Sequence, residues 1–234
     1  MKNSRPGFNR CAAAALLALA AATCSAQSSA EPSSNCPPLA QPLSAEQIQS
    51  GLRDARDHGF LWRIRKNDHS SYLYGTVHVA RVANMFPGPS VVQAVRDSDT
   101  VALELDMLDP DIQTRLRVGM TQAQPTALPE VLAQRLAKRI EFECLPAGAL
   151  ASFSPEVQVT ALSALTGRRE GIDPAYGIDN FLAGFARGGN KRVVSLETPE
   201  LQLKLLKMPT PDATIEFVDA AMTELESGRG LQTL

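Results

Sequence analysis

The sequence predicts an α/β domain in which a mixed or mostly parallel central sheet is flanked by helices. Short segments of apolar–polar alternation or uninterrupted apolar residues recur between residues 60 and 196, and stretches with helical spacing lie between them. Four pairs of a capping residue and a proline mark helix starts, because the first side chain caps the helix and proline suits its first turn. The sequence contains no internal repeat, and after residue 26 no apolar stretch is long enough to span a membrane.

The composition is that of a globular protein. Of 234 residues, 44% are hydrophobic and 21% are charged, which excludes a disordered or collagen-like chain. The formal net charge of −2 provides no electrostatic attraction to nucleic acid, so we expect no nucleic-acid partner.

The sequence of residues 1–26 predicts an export signal. Three basic residues and no acidic one precede a 13-residue run of small and apolar side chains at 11–23, which is too short to span a bilayer comfortably. The small residues 24–26 suit cleavage before Gln27, with Ala30 as a second site; the alternative is a buried alanine-rich helix. Cleavage leaves 208 residues with 20 basic and 25 acidic side chains, a net charge of −5. We therefore expect a mildly acidic periplasmic or secreted protein.

Two of the four cysteines remain after this cleavage. Cys36 and Cys144 could form one disulfide that ties the N-terminal tail to the domain. Two free thiols are the alternative, because the sequence does not show that the two residues come close enough to bond. Neither has the neighbours of a metal ligand or a nucleophile. A lipid anchor on Cys24 is disfavoured, because Thr23 is larger than the residue expected before a lipidated cysteine.

The domain is expected at residues 44–234, after a Ser- and Pro-rich linker at 27–43. Helical spacing begins near Ser44. Apolar–polar alternation at 60–65 and the segment 72–77 then flank a polar turn, and together they predict a β-hairpin.

Helices and strands alternate through the rest of the domain. A helix from about Ser90 and a brief apolar strand at 101–103 predict that residues 72–105 form a right-handed crossover with parallel strands. Asp179 is predicted to cap a later helix that ends at Gly188-Gly189, and a strand follows at 192–196. The four pairs that mark helix starts are Asp109-Pro110, Ser154-Pro155, Thr198-Pro199 and Thr210-Pro211.

The residues that could carry chemistry follow three of the predicted strands. His78 follows the first, Glu104 and then Asp106 follow the second, and Glu197 follows the third. Sites in open α/β sheets form outside the carboxyl ends of parallel strands, so we expect these side chains to converge. Imidazole and carboxylate together can hold Zn²⁺, Mn²⁺ or Co²⁺ and leave positions open for water. Without a metal, His78 and Glu104 could form a base and its orienting partner.

Each of these residues also has a structural interpretation. The 26-residue spacing between His78 and Glu104 is not a local metal-binding signature, and His78 could be a hydrogen-bonded structural histidine. Glu197 could stabilise the start of the following helix, where a negative charge is favourable.

At these positions the chain resembles the TraB/GumN family, which includes the Tiki metalloproteases and is related to the erythromycin esterase and ChaN folds. The resemblance spans roughly residues 58 to 228 and is strongest to GumN-type secreted bacterial proteins, some of which are encoded beside exopolysaccharide (xanthan-type gum) genes. It rests on the segments 60–64, 72–79, 101–106, 176–179 and 195–203.

The resemblance implies a metal-dependent hydrolase with two Gly-x-x-His motifs and a glutamate. The first motif corresponds to Gly75–His78 and the glutamate to Glu104. The family's second motif lies near the C-terminus on a late strand, whereas here no histidine follows His78 and the sequence ends at Leu234. We therefore expect a domain that lacks its last C-terminal strands and one metal ligand.

Two functional hypotheses follow. The first is an exported TraB/GumN-type metal-dependent hydrolase of the peptidase type, with a peptide or protein as substrate. The second is a non-catalytic periplasmic or secreted binding module whose partner is the machinery of exopolysaccharide production. Membership of a fold does not decide between them, because function depends on the site.

Overall fold

A computed structural model describes residues 35–121 and 126–228, and the predicted export signal lies outside them. The described residues from Cys36 onward form one compact unit. The predicted α/β class is confirmed: two small sheets, one of them a parallel pair, are flanked by helices. Within the described ranges, no helix is both long enough and apolar enough to cross a bilayer. The elements are α1 (Ala45–Asp54), β1 (Leu61–Lys66), β2 (His69–Tyr74), α2 (Pro89–Asp97), β3 (Thr100–Leu103), α3 (Pro110–Thr121), α4 (Glu130–Phe142), α5 (Pro155–Leu165), α6 (Ile178–Gly188), β4 (Arg192–Ser195), α7 (Pro199–Leu206) and α8 (Pro211–Ser227).

The predicted hairpin is confirmed. β1 and β2 pair antiparallel, from Leu61 opposite Tyr74 to Lys66 opposite His69. The two turn residues, Asn67 and Asp68, both have positive φ, at 48° and 63°. Two-residue hairpin turns require this conformation, and Asn and Asp tolerate it better than most residues. The polar turn in the sequence therefore fixes the register of the hairpin.

The predicted crossover between the strands at 72–77 and 101–103 is wrong. β2 ends at Tyr74, and among the described residues it pairs with β1 alone, whereas β3 pairs parallel with β4. The physical reason lies just after β2. The Val77 carbonyl accepts a hydrogen bond from Ile178 N–H (3.0 Å), at the start of α6, so the chain leaves the sheet for a helix.

The helix starts follow the predicted capping chemistry. α3, α5, α7 and α8 all begin at the proline of their pair. Thr198 accepts a hydrogen bond from Leu201 N–H (3.2 Å), and Thr210 accepts one from Ala213 N–H (3.1 Å). A cap of this kind contributes about 1 kcal/mol to helix stability. Ser154 occupies the cap position of α5, but its side chain makes no capping hydrogen bond.

The largest core lies among three of the helices. Val159 and Leu162 of α5 meet Val218 and Met222 of α8, and all four side chains are fully buried. Leu136 of α4 completes the contact. This helical core lies in the part of the fold that follows β3.

Cys36 and Cys144 form a disulfide, with their Cα atoms 5.8 Å apart. Of the two alternatives in the sequence, the structure therefore has the bonded pair. Next to it, the fully buried Glu143 forms an ion pair with Arg139 (Nη2–Oε1 2.6 Å). Burial raises the pKa of Glu143, and the positive charge of Arg139 opposes this rise. The end of α4 thus joins the disulfide to a buried ion pair.

Reduction of the disulfide is expected to destabilise the fold. The bond joins residues 108 positions apart, and cross-linking so long a loop restricts the unfolded chain, with a contribution of about 2–5 kcal/mol. Urea unfolding of the full chain with and without dithiothreitol measures this loss. The double variant Cys36→Ser/Cys144→Ser retains Cys11 and Cys24 and should not respond to dithiothreitol. An equal response in both proteins would mean that this disulfide does not stabilise the fold.

Candidate functional site

The segment after β2 runs along the segment that precedes α6. Ile178 N–H donates to the Val77 carbonyl (3.0 Å), and Asp173 N–H donates to the Ala80 carbonyl (2.9 Å). Ala80 N–H returns a bond to the Asp173 carbonyl (3.3 Å). These bonds enclose residue 78 on both sides, so the position of the His78 backbone is set by its contact with the start of α6.

Gly177 allows the two segments to approach closely. A Cβ atom at this position would lie 2.6 Å from the carbonyl oxygen of His78, nearer than real Cβ atoms come to a backbone atom. The φ of Gly177 is −57°, which any residue adopts, so the requirement for glycine is one of space and not of conformation.

The His78 ring lies between two carboxylates. Nδ1 is 2.8 Å from Oδ2 of Asp179, and Nε2 is 3.5 Å from Oε2 of Glu104. The other oxygen of Asp179 accepts a hydrogen bond from the Thr76 hydroxyl (2.7 Å). A carboxylate accepts hydrogen bonds and does not donate them, so the contact with Asp179 assigns a proton to Nδ1. Nε2 and the Glu104 carboxylate are 3.5 Å apart, beyond hydrogen-bonding distance, so Glu104 assigns no proton to Nε2, and in the neutral ring Nε2 carries the lone pair.

The two sides of the ring differ in their access to water. The side chains of His78 and Glu104 are 70% and 61% exposed, whereas that of Asp179 is 18% exposed. The pair of His78 and Glu104 is therefore open to a substrate, and Asp179 supports the ring from the protein side.

Glu104 reaches the histidine because β3 and β4 pair. β3 ends at Leu103, and the Glu104 carbonyl accepts a hydrogen bond from Glu197 N–H (3.0 Å) just beyond the end of β4. The hydrogen bonding between the two segments therefore continues one residue past β3 and two residues past β4, and it fixes the backbone at Glu104.

Asp106 does not lie with His78 and Glu104. Its side chain is buried and forms an ion pair with Arg187 of α6, and its carboxylate also accepts a hydrogen bond from Leu108 N–H (3.1 Å). β3 ends at Leu103, so the alternation of a strand does not extend to residue 106. The carboxylate of Asp106 is therefore occupied by Arg187 and Leu108 and does not join His78 and Glu104.

Glu197 lies near the site but bonds elsewhere. Its carboxylate accepts a hydrogen bond from Gln202 (3.2 Å) in α7, the helix that begins at the next proline. Of the four residues predicted to converge, the structure brings His78 and Glu104 together and pairs Asp106 and Glu197 with other partners.

Asp179 is a residue of this site that the sequence does not predict. The prediction that it caps α6 is wrong, because the cap position is Gly177 and Asp179 is the second residue of the helix. Its carboxylate bonds the side chains of Thr76 and His78 instead. Thr76 and His78 are two positions apart and share this acceptor, but no local pattern in the sequence identifies a partner about 100 positions away.

The donor set suits a divalent metal in kind but not in number. Imidazole nitrogen and carboxylate oxygen are ligands for Zn²⁺, Mn²⁺ and Co²⁺, and catalytic zinc sites use three protein ligands. Across residues 35–121 and 126–228, no group of three or more His, Cys, Asp or Glu side chains could hold a metal ion. The described residues therefore do not complete a metal centre, and they provide two donors, His78 Nε2 and the Glu104 carboxylate.

Comparison with known proteins identifies the family. The model of the TraB/PrgY/gumN family matches residues 60–234, which include His78, Glu104 and Asp179. Metalloprotease TIKI2 of Xenopus tropicalis is 32% identical over 107 residues, which are 44% of this chain and 20% of the relative. Metalloprotease TIKI1 of Danio rerio is 37% identical over 91 residues, which are 36% of this chain and 18% of the relative. The matches thus span about a fifth of each curated relative. No solved structure matches significantly.

Gly177→Ala is expected to destabilise the protein and displace His78. The new methyl group would meet the His78 carbonyl at 2.6 Å, and such overpacking costs about 1–3 kcal/mol. Urea unfolding measures the loss, and the ring signals of His78 in NMR spectra report the displacement.

Gly188→Ala in the same helix is the matched control. A Cβ there has no described neighbour within 4 Å, and alanine is favoured over glycine within helices by about 0.5–1 kcal/mol. If both variants are as stable as the wild type, the close approach at Gly177 does not exist.

Proposed function

This chain belongs to the TraB/PrgY/gumN family, and from that membership we propose that it is a peptidase-like hydrolase with His78 and Glu104 at its reactive centre. The observation that carries the proposal is the exposed Nε2 of His78, 3.5 Å from the exposed carboxylate of Glu104. The curated relatives are named metalloproteases, which supports peptide or protein bonds as the substrate.

Neutral His78 is suited to act as a general base. With its proton on Nδ1, the ring can accept a second proton at Nε2 from a water molecule bound beside Nε2 and the Glu104 carboxylate. The water oxygen forms a bond to the peptide carbonyl carbon, and the bond from that carbon to the amide nitrogen breaks. The proton on Nε2 passes to the departing amine, while the carboxylates of Glu104 and Asp179 stabilise the imidazolium. General base catalysis of this kind contributes about 10²–10⁴-fold to a rate.

The proposal also includes dependence of the hydrolysis on a divalent metal ion. The names of the relatives support a requirement for a cation such as Zn²⁺, Mn²⁺ or Co²⁺. Such an ion would need ligands besides His78 and Glu104, because the described residues provide two donors.

The proposed location is the periplasm or the outside of the cell. The Cys36–Cys144 disulfide supports it, because disulfides persist in oxidising compartments and are rare in the cytosol. The basic start and short apolar run of residues 1–26 support it independently.

The second candidate is a non-catalytic binding module of exopolysaccharide production. The observation that favours it is that the described residues provide two metal donors, whereas catalytic zinc sites have three protein ligands. In this case His78 would connect β2 to α6 and would not take part in a reaction.

His78→Ala and Glu104→Gln should each lower peptide hydrolysis by about 10²-fold or more. The first substitution removes the general base, and the second removes the carboxylate that stabilises the imidazolium. The measurement is turnover of fluorogenic peptides by the full chain, after chelation and after addition of Zn²⁺, Mn²⁺ or Co²⁺. His69→Ala and Glu46→Gln, which alter the exposed first residue of β2 and an exposed α1 glutamate, should leave turnover unchanged.

Equal turnover in the wild type and His78→Ala would exclude His78 from the reactive centre. A wild-type protein that unfolds cooperatively but hydrolyses no peptide under any metal condition would favour the binding module.

A further inference from the structure

We infer that Asp179 is a positioning residue that holds the His78 ring with its proton on Nδ1, so that Nε2 presents a lone pair to solvent. This inference rests on the proposed function for its purpose, but its physical content is the tautomer of one histidine. Thr76 belongs to the same device, because it holds the carboxylate of Asp179 in place.

Both oxygens of Asp179 are used, and each has a different partner. Oδ2 lies 2.8 Å from Nδ1 of His78, and Oδ1 accepts the hydroxyl proton of Thr76 at 2.7 Å. Two donors on two oxygens fix the plane of a carboxylate as well as its position. The ring of His78 therefore meets an acceptor of fixed direction, which favours the N–H of Nδ1 over a lone pair there.

The placement of Asp179 does not depend on a flexible loop. It is the second residue of α6, where the helix dipole favours a negative charge, and its side chain is mostly shielded from water. Farther along α6, Arg187 forms the ion pair with Asp106, three residues after the end of β3. The first turn of α6 thus holds the histidine. The last turn of α6 anchors the segment that follows β3 and contains Glu104.

Asp179 changes the tautomer of His78, because a free histidine side chain prefers the other tautomer. In water, the neutral imidazole of histidine carries its proton mainly on Nε2, and in that form Nε2 cannot accept a proton from water. Asp179 reverses this preference, as carboxylates that orient histidines do elsewhere.

The test compares Asp179→Asn with Asp212→Asn. Asp212 is the second residue of α8, so the control removes the same charge from the same helix position, away from any histidine. Long-range ¹H–¹⁵N NMR spectra of the full chain, recorded above the titration range of histidine, identify the protonated nitrogen of His78. We expect Nδ1–H in the wild type and in Asp212→Asn, and a shift toward Nε2–H in Asp179→Asn, because the amide group can donate to Nδ1.

Either of two results would overturn the inference: a wild-type ring with its proton on Nε2, or an Asp179→Asn ring that keeps the wild-type tautomer. The wild-type spectrum decides even where Asp179→Asn does not fold. Thr76→Val then provides the second variant, with a lower fraction of Nδ1–H expected because the carboxylate is free to rotate. An unchanged fraction would exclude Thr76 from the device.

The kinetic readout separates positioning from catalysis. Asp179 does not face the substrate, so Asp179→Asn should lower kcat by about 10–100-fold with little change in KM. A rise in KM at constant kcat would contradict a positioning role. The tautomer measurement needs no substrate. Absence of hydrolysis in the wild type would therefore refute the proposed function, whereas the inference about Asp179 is tested by the spectra alone.

Discussion

The site depends on one contact, in which the segment after β2 lies against the segment that enters α6. Backbone bonds from Ile178 to Val77 and between Asp173 and Ala80 hold the two segments together, and Gly177 removes the side chain that would separate them. This contact takes the chain out of the hairpin. It also places the backbone of His78 at the first turn of α6.

The same helix sets the other half of the site. Arg187 of α6 pairs with the buried Asp106, two residues after Glu104, and β3 is held in turn by β4. His78 and Glu104 are therefore brought together through α6, although 26 positions separate them in the sequence. Their side chains need no direct bond to each other, and both remain exposed.

Local chemistry made much of the fold predictable. The polar turn at 67–68 and the capping residues before prolines act within a few positions, so the hairpin and the starts of α7 and α8 follow from neighbouring residues. The partner of β3 did not follow, because parallel pairing with β4 joins segments about 90 positions apart. Alternation identifies a strand but does not specify which edge it meets.

Part of the site was also predictable from the sequence. His78 and Glu104 were predicted from their places after strands, and the structure brings them together. Asp106 was not separable from Glu104 by sequence, because its burial depends on a distant arginine. Asp179 was assigned to its own helix, since a cap is the usual partner of an aspartate near a helix start. Its bonds to Thr76 and His78 cross about 100 positions, beyond the range of any local pattern.

The most direct test of this account is amide hydrogen exchange at the contact itself. If the two segments are bonded as described, the amides of Ile178, Asp173 and Ala80 should exchange slowly, Ile178 as slowly as the interior of α6. Exchange of all three as fast as in the exposed hairpin turn would contradict the account, because the contact that positions His78 would then be open in solution.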